Sequence, residues 1–113
     1  MSEREITLLL KDMLEAAQKI LCYTNTMSFE DFSLDDKTKD AVIRNFEVIG
    51  EAAKRVPDDF KRRHPEIEWQ RIRGFRNRII HEYFGIDFEM VWQIKEENPD
   101  ELIVKLNSLP EAI

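Results

Sequence analysis

The apolar positions of this chain recur at steps of three and four almost from its first residue. Ile6, Leu9, Leu10, Met13, Leu14, Ala17, Ile20 and Leu21 form one stripe, which predicts an amphipathic helix over residues 3–23. A polar stretch containing Asn25, Ser28, Asp31 and Ser33 reads as a connection, with a short helical turn at 29–32. Val42, Phe46, Ile49, Ala53 and Val56 then repeat as a single seam and predict a second helix over 37–56. Gly50 interrupts that seam, at about 1 kcal/mol relative to Ala, so another backbone is expected to approach closely there.

Pro57-Asp58-Asp59 stops the second helix and offers capping carboxylates to a short turn at 60–63, after which His64-Pro65 breaks the chain again. Trp69, Ile72, Phe75, Ile79 and Ile80 predict a third helix over 67–84, with Gly85 as its stop. Asp87 can cap a helix over 88–96 that carries Val91 and Trp92. In Asn98-Pro99-Asp100-Glu101, Asn serves as cap, Pro takes the first helical position and Glu reaches back. This start opens a last helix over 99–109 that buries Leu102, Leu106 and Leu109. No strand pattern competes, and the expected architecture is an all-α bundle of four to five helices. At 113 residues, 1–113 is expected to be a single domain.

Composition narrows the class. An apolar content of 42% with 35% charged residues and only 3 Gly is the balance of a folded, helix-rich protein. The first twenty residues are acidic and amphipathic rather than basic and continuously apolar, so no secretory signal is expected. No run approaches the roughly 18 apolar residues of a membrane span, and the expected location is the cytoplasm. Cys22 is the only cysteine, and with two His it offers no recognisable zinc spacing. No metal or cofactor is expected.

Charge is distributed unevenly. The formal net charge of -6 argues against coating nucleic acid indiscriminately. Between 61 and 78, however, Lys61, Arg62, Arg63, Arg71, Arg73, Arg76 and Arg78 face only Glu66 and Glu68. A basic island on an acidic body suits a local polyanion site, and Arg73 and Arg78 are candidate phosphate contacts. A solvated charged face is the plainer reading of the island by itself.

The island contains Arg76-Asn77-Arg78-Ile79-Ile80-His81-Glu82-Tyr83, which has the spacing Arg-x4-His-x-Tyr. Arginine is a permanent cation with a planar fork of donors suited to phosphate oxygens. Histidine exchanges protons near neutrality. On an ideal continuous helix Arg73, Asn77 and His81 share one face, whereas Arg76 and His81 stand about 140° apart. A two-fold dimer bringing two motif helices together is one way to complete a pocket. Taken singly, each residue has a plain structural role: a surface histidine, an arginine neutralised by Glu82, a core tyrosine with its hydroxyl at the rim. Glu51 reads as an ordinary ion pair with Arg55.

A longer pattern surrounds the motif. Ile49-Gly50-Glu51-Ala52-Ala53, Trp69, Ile72, Arg73-Gly74, Phe75-Arg76-Asn77, His81-Glu82-Tyr83-Phe84 and Val91-Trp92 together resemble the HepT-like branch of the HEPN ribonuclease superfamily. The resemblance runs from about residue 4 to residue 109. It implies a small all-α dimer, the toxin of a type VII toxin-antitoxin module, acting as a metal-independent endoribonuclease on RNA such as tRNA or mRNA. It further implies Arg76 and His81 as the catalytic pair, with Asn77 the polar residue between them. The implied partner is an MntA-like minimal nucleotidyltransferase antitoxin, and Tyr83 stands where some members are adenylylated and thereby silenced.

Two functions of different class follow. One is the ribonuclease, with turnover in the presence of a chelator. The other is a non-catalytic, nucleotide-binding helical partner of a minimal nucleotidyltransferase, with binding and no turnover.

Overall fold

A computed structural model describes residues 1–81 and 85–110, His81 through its backbone. Ten elements follow in chain order: α1 (Glu3–Thr24), α2 (Phe29–Ser33), α3 (Asp36–Arg55), α4 (Asp58–Arg63), α5 (Trp69–Arg73), α6 (Phe75–Ile79), β1 (Ile80–His81), β2 (Gly85–Ile86), α7 (Phe88–Glu97) and α8 (Pro99–Asn107). The architecture is the expected all-α bundle, and no helix among the described residues is long and apolar enough to cross a membrane.

The two long helices start where their side chains can take up otherwise unpaired backbone amides. Ser2 accepts from the Glu5 amide at the head of α1, and Asp35 accepts from the Thr38 amide at the head of α3. Between them α2 carries a full capping box, Ser28 and Asp31 each accepting from the other's amide. The apolar faces of α1 and α3 pack on each other, and α8 packs against α1 as well. Leu10, Met13, Ile20, Phe46 and Ile49 from α1 and α3, with Ile94 and Leu106 from α7 and α8, are fully buried in one core.

Several local expectations are corrected. The largest concerns the third helix, which does not run from 67 to 84. It starts at Trp69, is interrupted at Gly74, resumes as α6 and ends at Ile79. Gly74 is the C-cap of α5 and the N-cap of α6 at once. A Cβ there would stand 3.3 Å from the Gln70 carbonyl oxygen. Beyond α6 the chain becomes extended, as β1 pairs antiparallel with β2 in the register Ile80 with Ile86 and His81 with Gly85. The β-branched Ile79-Ile80 pair loses side-chain freedom in a helix and fits an extended backbone better. Gly85 therefore does not stop a helix; its positive φ of 76° serves the return strand instead.

The remaining corrections concern single side chains. Asn98 does not cap α8 with its side chain, because α7 runs directly into α8 and Asn98 is the right-handed C-cap of α7, its amide bonded to the Ile94 carbonyl. Glu101 pairs with Lys105 rather than reaching back. At α4 the N-cap is Pro57, and Asp58 and Asp59 stand in the first turn without a capping bond, Asp59 pairing with Arg62. Glu51 and Arg55 line one groove without forming an ion pair, and Glu51 also borders a second cleft beside α3.

Candidate functional site

Two contacts set the wall of that cleft. A Cβ on Gly50 would lie 3.6 Å from the Ile72 carbonyl oxygen, so α5 crosses α3 backbone to side, as the sequence led us to expect. One turn back along α3, Phe46 meets Phe75 edge to face with ring centroids 5.4 Å apart. The α5–α6 segment thus runs antiparallel to α3. Between them lies a cleft of about 370 Å³. From α3 come Ile43, Phe46, Glu47, Gly50, Glu51 and Lys54; opposite stand Arg73, Arg76, Asn77, Ile79 and Ile80.

The antiparallel register grades the cleft along its length. Lys54, Glu51 and Arg73 stand toward the Gly50–Ile72 crossing, Glu47, Arg76 and Asn77 follow, and Ile43, Ile79 and Ile80 make the other end apolar. Arg73, Arg76, Asn77, Glu47, Glu51 and Lys54 are exposed. Among the described residues none of the cleft's charged groups enters an ion pair with another.

The basic island divides into structural and available cations. Arg71 bonds Glu68 at 2.9 Å and Glu97 at 2.8 Å, tying α5 to α7. The Glu68 hydrogen bond, then the charges of Glu68, Glu97 and Glu101, raise its pKa above the usual guanidinium range, against an opposing effect of burial. Arg62 is held by Asp59. Arg78, a candidate phosphate contact from sequence, is half-buried and donates to the Met90 sulfur at 3.5 Å, away from the cleft. Burial pushes the Lys61 ammonium below its usual pKa; Asp58 opposes that shift and the charge of Arg73 adds to it. Of the island, Arg73 and Arg76 face the cleft, where Lys54 of α3 joins them.

The structure therefore brings Arg73, Arg76 and Asn77 together and leaves Arg78 outside. His81 follows Ile80 directly, and its backbone is fixed opposite Gly85. The side chain of His81, and Glu82, Tyr83 and Phe84 altogether, lie outside the described residues; the modification expected at Tyr83 falls there. Sequence reasoning missed Glu47 and Lys54, and assigned Glu51 elsewhere. Their i, i+4 and i, i+3 spacing on α3, with Gly50 between, was the available signal.

Fold and cleft together define a small all-α domain with an arginine-bearing helix, α6, facing a charged groove. The ribonuclease HepT-like family profile matches residues 13–109, and the chain belongs to that family. A protein of Thermococcus cleftensis named a probable ribonuclease HepT is 48% identical over 91 residues, covering 80% of this chain and 83% of the relative. A protein of Methanocaldococcus jannaschii, provisionally named an RNase, is 43% identical over 94 residues, 83% of this chain and 78% of the relative. One of Caldanaerobacter subterraneus, named in the same way, is 36% identical over 92 residues, 80% of this chain and 82% of the relative. No solved structure matches this chain.

Proposed function

We propose that this protein is a metal-independent endoribonuclease, the toxin of a toxin-antitoxin pair, and that it cuts RNA at the cleft between α3 and α6. The observation that carries the reading is the presence of Arg76 and Asn77 in one groove with Arg73, in a chain of the ribonuclease HepT-like family.

RNA supplies its own nucleophile. In the proposed step the 2'-hydroxyl loses its proton to a base and attacks the adjacent phosphorus. The P–O5' bond breaks, the 5'-oxygen takes up a proton, and a 2',3'-cyclic phosphate remains. His81 is assigned the proton transfers. Arg76 stabilises the charge that develops on the phosphorane oxygens, and Asn77 orients His81 or holds a phosphate oxygen. Arg73 and Lys54 draw the flanking phosphates into the groove.

The same reading covers regulation. An MntA-like nucleotidyltransferase adenylylates Tyr83, and the anionic nucleotide occupies the place of the substrate phosphate beside Arg76. A homodimer pairs two motif segments across a two-fold axis. Cleavage of total RNA and of purified tRNA in EDTA tests the reading, with wild type, Arg76→Ala and His81→Ala compared. Cleavage by wild type alone, with all three folded, is the expected outcome. Wild-type protein free of nucleotide on Tyr83 that binds RNA without cutting it would establish the non-catalytic partner instead.

A further inference from the structure

A groove built only to hold phosphate has no use for carboxylates, yet Glu47 and Glu51 line this one beside Arg73, Arg76 and Lys54. Among the described residues the two signs do not neutralise each other by ion pairing, although one cleft contains both. Such a site fits a ligand with a negative end and a donor-rich end. A nucleotide is such a ligand: its phosphates accept from guanidinium, and its base can present N–H groups to a carboxylate.

The apolar part of the lining says where the base lies. Ile43 stands one turn before Glu47 on α3, and Ile79 and Ile80 close the same end from the opposite wall. A base ring resting on the partly exposed Ile43 and Ile80, with Ile79 buried behind them, would turn its edge toward Glu47, with its phosphate toward Arg76. The bases differ sharply at that edge. Guanine presents two parallel donors, N1–H and the N2 amino group, which match the two oxygens of one carboxylate. Adenine and cytosine offer one amino donor beside an acceptor, and uracil sets a single N–H between two carbonyls that a carboxylate repels. Single-stranded RNA is read in this way, through splayed-out bases contacted on their Watson–Crick edges.

We infer that Glu47 is a base-reading residue, and that the cleft selects guanosine as the nucleotide on the 5' side of the cleaved bond. The inference deepens the proposed nuclease function and rests on it for the position of the scissile phosphate. Glu51 stands nearer the Arg73 and Lys54 end and sets the charge balance there, without touching the base.

Binding of 3'-GMP, 3'-AMP and 3'-UMP, followed by NMR or calorimetry, tests the base pocket without requiring turnover. Wild type should bind 3'-GMP on the order of tenfold to hundredfold more tightly than 3'-UMP, the discrimination of a good bidentate pair. Glu47→Gln replaces one acceptor by a donor and should reverse the order of 3'-GMP and 3'-AMP, since an amide matches adenine's donor-acceptor edge. Glu51→Gln should leave that order unchanged. Equal binding of 3'-GMP and 3'-UMP by wild type, or a uniform loss in Glu47→Gln, overturns the inference.

Cleavage of DNA oligonucleotides carrying one ribonucleotide, G, A, C or U, separates it from the parent reading. Equal cutting at all four overturns base selection while the nuclease stands. Guanosine-selective binding with no cutting supports the pocket and overturns the nuclease.

Discussion

The ring of Phe75 meets the ring of Phe46 at an interplanar angle of 82°, one residue before Arg76. Both rings are buried, so the contact fixes the start of α6 against α3 and with it the distance across the cleft. Phe75→Ala should destabilise the protein by about 3–5 kcal/mol, read as a fall in the urea midpoint. Phe75→Leu should restore most of that stability while leaving RNA cleavage impaired, because Leu fills the volume without holding the edge-to-face geometry. Full activity in Phe75→Leu would show that the ring does not position Arg76.

The glycines at 50 and 85 should respond in opposite directions to alanine. At Gly50 an added Cβ meets the Ile72 oxygen at an ordinary van der Waals distance of 3.6 Å, so Gly50→Ala should gain up to about 1 kcal/mol from helix propensity. At Gly85 nothing stands within 4 Å, but φ is 76°. Gly85→Ala should therefore lose about 1–2 kcal/mol from backbone strain alone. Thermal denaturation of the two variants gives both signs in one experiment, and equal shifts would contradict the geometry.

Acid should selectively weaken the head of α3. The Thr38 amide, donating to Asp35 at 3.0 Å, holds the Asp35 carboxyl below its usual pKa of 3.8, with the Thr38 hydroxyl and Lys37 helping and desolvation opposing. A lowered pKa means that the cap stabilises fully above the ordinary carboxylate range and fades as pH falls through the lowered value. The difference in melting temperature between wild type and Asp35→Ala should be constant near neutrality and shrink below about pH 4. A gap that widened on acidification would reverse the assignment.

At position 76 charge alone should not suffice. Arg76→Ala should lower the cleavage rate by about 10²–10³-fold, the usual effect of removing a group that stabilises transition-state charge. Arg76→Lys should recover little, since an ammonium is a point charge where the guanidinium offers a planar fork to two phosphate oxygens. Single-turnover kinetics distinguish this from weakened binding. A Lys variant as fast as wild type would reduce Arg76 to an electrostatic steering role.

Much of this structure was legible in the sequence, for identifiable reasons. The stripe from Ile6 to Leu21 and the seam from Val42 to Val56 each fill several turns, so their period leaves one solution, and α1 and α3 fall within a residue or so of expectation. The third helix was overextended because Trp69, Ile72, Phe75 and Ile79 keep helical spacing across Gly74, and Gly74 is itself helical with φ of -84° and ψ of 0°. What betrays the change of conformation is local: Ile80 and Ile86 are β-branched residues on either side of Gly85 and pair across the two strands. The cleft was half visible. Arg73, Arg76 and Asn77 come from the motif itself, whereas the spacing of Glu47, Glu51 and Lys54 marks only a shared face of α3, and the pairing of α3 with α5 and α6 is what turns that face into a cleft wall.

The passage from α6 into β1 also bears on how the motif can change length. In a continuous helix each inserted residue would rotate everything downstream by about 100°, carrying a histidine to another face. Here α6 ends at Ile79 and Ile80 already pairs with Ile86, so an insertion between Ile79 and Ile80 instead shifts the register of β1 on β2 while Arg76 stays anchored by Phe75. The interval between the arginine and the histidine is thus one turn of helix plus a single strand residue, and its length is tied to the pairing of β1 with β2 as well as to helical phase.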